Sequence, residues 1–158
     1  MPNEDILKFL EEKLDGIVNN VASPRERRVF GETDLKNVVK VIQACKDWGF
    51  VNLGNIIGLD RTDRFEVIYQ LYDGHGLLLN LKTFTPRENP VIPSVSHIFP
   101  AVFLYERELM DLFGIQVEGT PPNRRYPLPD DWPVGEYPLR KDWKGLPMEV
   151  AAKEEVNS

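Results

Sequence analysis

Three apolar, β-branched stretches in close succession constrain this chain more than any other feature: FVNLGNIIGLD from Phe50, RFEVIYQLY from Arg64 and LLLNLKTF from Leu77. Each is rich in residues that fit a pleated, half-buried surface, so each reads as a strand. Asp73-Gly74-His75-Gly76 separates the last two. Glycine accepts the positive φ that tight turns require, so this is a hairpin connection with His75 as a solvated turn residue at its tip.

Helical periodicity brackets this meander. Asn3 is placed to cap a helix reaching about Asp15, with Ile6, Leu7, Leu10 and Leu14 on one face and Gly16 as its stop. A short extended segment follows around Arg28-Val29-Phe30. Thr33 or Asp34 caps a second helix, where Leu35, Val38, Val39, Ile42, Cys45 and Trp48 recur at helical spacing until Gly49. Cys45 on that stripe reads as a small core residue, since nothing near it in sequence would lower its pKa. PRENPVIPSV is an extended connection, because its prolines forbid helix. A third helix spans Phe99 to Phe113, with Pro100 tolerated in its first turn and Gly114 as its end, and IQVEG forms a last short strand.

The order predicts an α+β fold: a two-layer sandwich with helices on one face of a mainly antiparallel or mixed sheet, followed by an extended proline-rich C-terminal tail. The expected division is a core domain over 1–118, an interaction tail over 119–145 and a flexible C-terminus over 146–158. A chain of 158 residues suffices for one core without disulfides or metals.

Composition excludes several functions. A net charge of −6 and a pI of about 5.0 argue against nucleic acid as a partner, because phosphate binding needs a basic footprint. One cysteine, with only His75 and His97 besides, cannot hold an iron–sulfur cluster or a zinc ion, so no metal site is expected. The N-terminus lacks the layout of a signal peptide, and the longest apolar run, Ile98 to Tyr105, is well short of the roughly 20 residues of a spanning helix. A cytoplasmic protein that reaches a membrane only through partners is expected.

The stretch YERELMDLFG (105–114) carries the remaining signal. At 100° per residue Glu106 falls among Val102, Phe103, Leu109, Met110 and Phe113, in the middle of the apolar face, whereas Glu108 and Asp111 point away and Arg107 lies on the flank. Arg107 and Asp111 have the spacing of an i,i+4 ion pair, worth a few tenths of a kcal/mol. A carboxylate in an apolar stripe must be paired, protonated or covered by something polar. Three readings stand for Glu106: an internal salt bridge to a tail arginine, part of a contact with another chain, or a catalytic acid in a free-standing carboxylate-dependent enzyme. Between Gly119 and Lys144 six prolines interleave with Tyr126, Trp132, Tyr137 and Trp143. That segment is suited to lie against a surface with the aromatics as anchors, and a partner protein would supply part of that surface.

Glu106-Arg107-Glu108, Asp111-Leu112-Phe113-Gly114-Ile115, Arg124-Arg125 and Pro138-Leu139-Arg140-Lys141-Asp142 together resemble the signature of the 30 kDa subunit family of respiratory complex I and its hydrogenase relatives. The likeness runs upstream through RFEVIYQLY and PVIPSVSHIFPA, over roughly residues 28 to 143. The chain departs from the family's usual pattern at Thr120 and at Tyr126-Pro127, and LPDDWPVGEYPLRKDW is closer to members found in energy-converting membrane-bound hydrogenases and ferredoxin-linked or sulfur-reducing complexes. The resemblance implies a subunit without cofactor or catalytic residue on the cytoplasmic peripheral arm of a membrane-bound oxidoreductase. It would be braced against a large 49 kDa-like or NiFe-hydrogenase-like subunit and an Fe–S small subunit. Fe–S clusters, and a NiFe centre or flavin, would then reside in those partners. Glu106, Arg107, Glu108, Asp111, Arg124, Arg125, Arg140 and Asp142 are the expected ionic residues joining helix, tail and large subunit.

Overall fold

The computed structural model describes residues 3–122 and 124–146. The side chain of Asn3, expected to cap the first helix, and residues 147–158 of the expected flexible C-terminus lie outside the described residues. The elements run α1 (Asn3–Lys13), β1 (Val18–Arg25), β2 (Arg28–Thr33), α2 (Val38–Trp48), β3 (Asn52–Asp60), β4 (Arg64–Tyr72), β5 (Leu78–Pro86), β6 (Val91–Pro93), α3 (Phe103–Phe113) and β7 (Gln116–Glu118). Single 3-10 turns at Leu35–Asn37 and Pro100–Val102 lead into α2 and α3.

The expected meander forms the sheet's centre and one edge: β3, β4 and β5 pair antiparallel, and β5 pairs parallel with β2, giving the order β1-β2-β5-β4-β3. In the turn between β4 and β5, the Asp73 carboxylate accepts backbone N–H bonds from His75 at 2.7 Å and Leu77 at 2.9 Å. This side-chain cap makes the turn, and it leaves His75 exposed as expected.

Alternation along the strands separates two faces. Phe65, Val67, Tyr69 and Leu71 of β4 are fully buried, with Leu79 and Leu81 of β5 beside them, and they share one core with all three helices. The intervening residues carry polar pairs: Glu66 meets Lys82 at 3.8 Å, and the Gln70 amide donates to Asn80 at 2.9 Å. The α+β architecture read from the sequence is therefore present. Cys45 is a fully buried core residue whose thiol pKa burial pushes up to about 12, which leaves it inert at neutral pH.

Two strands have no counterpart in the sequence reading. In β1, VNNVASPR buries only Val18, so no apolar alternation marks it; its pairing with β2 alone defines it. The three-residue β6 sits in the expected proline-rich connection and pairs parallel with β7, Ile92 beside Val117. Both strands are made by pairing across the chain rather than by local propensity.

Helix α3 is positioned closely. Gly58 of β3 faces it, and a Cβ there would lie 2.7 Å from Leu109 and 2.8 Å from Phe113, so the helix rests on bare strand backbone. Gly114 ends the helix in the left-handed region at φ 69°, donating its N–H to Met110 O at 3.0 Å.

Candidate functional site

Glu106 is buried in the core face of α3, as its helical position requires, but its partner is not an arginine. The Ser94 hydroxyl donates to the carboxylate at 2.9 to 3.1 Å, and the Val95 N–H donates to Oε1 at 2.7 Å. The chain leaving β6 has just lost its strand partner at this point, and Glu106 takes up the freed backbone donor. Ser94 N–H in turn donates to Glu118 O of β7 at 2.7 Å. Glu106 thus fastens α3 to the end of the two-stranded sheet. The sequence missed Ser94 because polar residues in a proline-rich connection look like solvated loop. Tyr69, packed nearby, has its phenol pKa raised by burial and then by the charge of Glu106. With both oxygens engaged by its own chain, Glu106 is built as a fastening and not as an acid aimed at a substrate.

The flank of α3 also differs from a simple helical wheel. Asp111, expected to face outward, is 9% exposed, and Arg107 is 7% exposed, because the start of the tail folds over this side of the helix. Asp111 does not pair with Arg107. Its Oδ1 faces Arg125 Nε at 3.8 Å, and its Oδ2 accepts the Leu128 N–H at 3.3 Å. Arg125 also donates to the Trp132 carbonyl. Glu108 is half-buried and Arg124 is exposed. The i,i+4 pair loses because the tail desolvates Asp111 while bringing its own guanidinium and backbone donor to it, and a neighbour on the same helix supplies only the first.

Further along, the tail is anchored to the sheet. Arg87, just past β5, bridges two carboxylates: Nη1 to Asp60 at 2.5 Å and Nη2 to Asp142 at 2.7 Å. Asp60 also accepts N–H bonds from Thr62 at 2.7 Å and Lys141 at 2.8 Å. Burial works against its charge, but the Arg87 guanidinium and these two backbone donors outweigh it and hold the Asp60 pKa at about 2. Arg140 donates to the Phe113 carbonyl at 2.7 Å, lies over the Tyr137 ring at 4.5 Å, and shares the Phe65 ring with Arg87, each 5.2 Å away. Leu139 N–H donates to Leu112 O at 3.0 Å. Asp60 and Arg87 escaped the sequence reading, since each stands at a strand end where charge is ordinary; only the returning tail gives them work.

Between these anchors the tail has no helix or strand among the described residues and advances by turns, with N–H bonds from Trp132 to Pro129 O, Arg140 to Tyr137 O and Trp143 to Arg140 O at 3.1 Å each. Trp132 and Trp143 lie 6.2 Å apart, and both indole N–H groups are taken by Glu136, through its carbonyl at 2.9 Å and its carboxylate at 2.7 Å. Trp132, Tyr137 and Trp143 are half-buried against the tail and its own domain, while Tyr126 is exposed. Of the six large hydrophobic side chains exposed among the described residues, three are in the tail: Tyr126, Val134 and Leu139.

No group of three or more metal-ligating side chains occurs among the described residues, and no helix among them is long and apolar enough to cross a membrane. A cleft of about 650 Å³ between Leu35, Val39, Ile92 and Pro93 is mainly apolar and lies away from the Arg87 and Arg140 anchors of the tail.

Comparison with known proteins agrees with this architecture. The chain is 35% identical over 136 residues to a subunit of the F(420)H(2) dehydrogenase of Methanosarcina mazei, covering 83% of this chain and 84% of that protein. It is 34% identical over 145 residues to a subunit of the NADH-quinone oxidoreductase of Chelativorans sp., covering 88% and 71%. A 75-residue stretch is 48% identical to the beta subunit of the membrane-bound hydrogenase of Pyrococcus furiosus, covering 48% of this chain but only 43% of that subunit. A chain of the membrane-bound sulfane sulfur reductase, an archaeal respiratory membrane complex, superposes with a TM-score of 0.81 at 27% identity over 98% of this chain and 91% of that one. The Nqo5 trypsin-resistant fragment superposes with a TM-score of 0.65 at 27% identity, over 76% and 98%. These relatives are subunits of multi-subunit membrane complexes of the complex I and hydrogenase kind. Residues 31–148 match the respiratory-chain NADH dehydrogenase 30 kDa subunit family, and the chain belongs to that family.

Proposed function

We propose that this protein is a non-catalytic assembly subunit in the peripheral arm of a membrane-bound oxidoreductase, bracing a large 49 kDa-like or NiFe-hydrogenase-like subunit beside an Fe–S small subunit. The observation that carries this reading is the tail. It is pinned to its own domain through Arg87, Asp60, Asp142 and Arg140, yet it holds Tyr126, Val134 and Leu139 toward solvent. An ordered strap with exposed apolar side chains is the composition of a docking surface: its conformational entropy is already spent, so contact with a partner is gained at low cost.

On this reading the ionic residues divide the labour. Glu106, Asp111, Arg125, Arg140 and Asp142 hold helix and tail in shape, and Arg107, Glu108 and Arg124 with the exposed apolar residues meet the partner. Fe–S clusters, and a NiFe centre or flavin, belong to the partner subunits, where electron transfer is coupled to ion translocation; this chain lies on the cytoplasmic side. The hydrogenase or sulfur-reducing branch is favoured over a standard NADH:quinone oxidoreductase by the extent of the superposition on the sulfane sulfur reductase chain.

The test is affinity capture. The tagged full chain, expressed in its native host and recovered from solubilised membranes, should bring down a hydrogenase-like or dehydrogenase-like large subunit in stoichiometric amount. Recovery of the chain alone would overturn the assembly reading. Val134→Asp with Leu139→Asp should abolish capture while leaving the isolated chain's melting temperature unchanged.

A further inference from the structure

A cleft of about 430 Å³ lies between α3 and the first turn of the tail, lined by Arg107, Met110 and Asp111 on the helix and by Thr120, Pro121, Pro122 and Arg125 on the tail. Arg107 is 7% exposed, yet its side chain makes no ion pair or hydrogen bond among the described residues. The Thr120 hydroxyl is buried in the same wall and likewise has no partner. Asp111 is turned to other uses, facing Arg125 at 3.8 Å and accepting the Leu128 N–H at 3.3 Å. Two guanidinium groups against one carboxylate leave one positive charge in excess. The Arg107 side chain is thus mostly removed from water with no anion beside it among the described residues, an arrangement that a bound anion would stabilise.

We infer that this cleft receives a single carboxylate side chain, an aspartate or glutamate of a partner subunit. The planar fork of Arg107 presents paired N–H donors that match a carboxylate, and the Thr120 hydroxyl donates a third bond. The charge balance selects a monoanion: one carboxylate neutralises the site, whereas a phosphate dianion would leave uncompensated negative charge beside Asp111. Pro121 and Pro122 form an exposed, conformationally restricted rim at the mouth of the cleft, suited to meet the backbone that carries the carboxylate. The inference deepens the assembly reading and rests on it for the source of the carboxylate.

Two measurements test it. In the isolated full chain, the Arg107 Nε–H resonance should shift saturably with sodium acetate at constant ionic strength. Inorganic phosphate should shift it less, and Thr120→Val should weaken the acetate response. Phosphate binding more tightly than acetate, or no saturable response to acetate, would overturn the charge argument. In the assembled complex, Arg107→Gln should weaken capture of the large subunit by roughly tenfold or more, as expected for loss of one partner of a buried charge pair. The same substitution should leave the isolated chain equally stable or more stable, because it removes an unpaired buried charge. A destabilised isolated chain with undiminished capture would show that Arg107 serves only its own fold. Should the wild-type chain capture no large subunit, the assembly reading falls, and the acetate titration still judges the cleft.

Discussion

Replacing Arg87 by methionine tests whether the sheet-end ion cluster on which the tail sits draws its stability from the buried Arg87–Asp60 arm. Arg87 is 19% exposed and joins Asp60, whose side chain is 2% exposed, to Asp142, which is 70% exposed. Removing one partner of a buried pair costs about 3–5 kcal/mol, mostly through the charge left behind. Here Asp60 keeps the Thr62 and Lys141 N–H donors, which compensate part of that charge. Methionine preserves most of the packing against Phe65, so the loss should come to about 2 kcal/mol. With a urea m value near 2 kcal/mol/M for a domain of this size, the midpoint of unfolding should fall by roughly 1 M. Asp142→Asn, at the solvent end of the same guanidinium, should leave the midpoint unchanged. A double-mutant cycle separates the two arms: Arg87→Met and Asp60→Asn should couple strongly, whereas Arg87→Met and Asp142→Asn should add. Equal midpoint shifts for Arg87→Met and Asp142→Asn, or an additive cycle for Arg87 and Asp60, would refute the assignment of the clamp to the buried arm.

Further outcomes follow from the same geometry. Gly114→Ala should destabilise by about 2 kcal/mol or more in urea titrations, because it places an L residue at φ 69° and its Cβ would sit 2.5 Å from the Tyr137 ring; an unchanged midpoint would show that the tail does not cover this turn. The Asp60 carboxyl has a folded pKa of about 2, below its unfolded value of 3.8, so its contribution is complete above about pH 5 and is lost as pH falls through 3.8 toward 2. That contribution is about 2 kcal/mol at most, and roughly half where solvent screens the cluster, so the acid transition should flatten in Asp60→Asn. Glu106→Ala should cost about 2–4 kcal/mol, since it orphans the Val95 N–H and Ser94 hydroxyl in the core, while Glu108→Ala should stay within about 0.5 kcal/mol; equal losses would mean that Glu106 does not fasten α3.

Where the sequence was legible, the signal was local. The meander announced itself through β-branched runs and a glycine turn, and α3 through its periodicity, Pro100 and Gly114; in each case the physics lies within a few residues of chain. β1 was illegible because a polar edge strand has no apolar alternation and exists only through its pairing with β2. At the site, helical spacing placed Glu106 correctly in the core but pointed to a tail arginine as its internal partner. Hydrogen-bond donors are chosen by proximity in space, and a serine and a backbone N–H twelve and eleven positions away were nearer than any arginine.

The sequence by itself determined the class of the fold, the position of the inward carboxylate and the family, because hydrophobic period, turn chemistry and an ordered string of charged residues are all properties of the chain read in order. Only the tertiary structure decided how the charges pair: Asp111 with Arg125, Arg87 between Asp60 and Asp142, and Arg107 left in a cleft with the Thr120 hydroxyl. The reason is desolvation. Coulomb attraction alone would let any of these arginines serve any of these acids, and which pairs matter is set by which groups the returning tail removes from water.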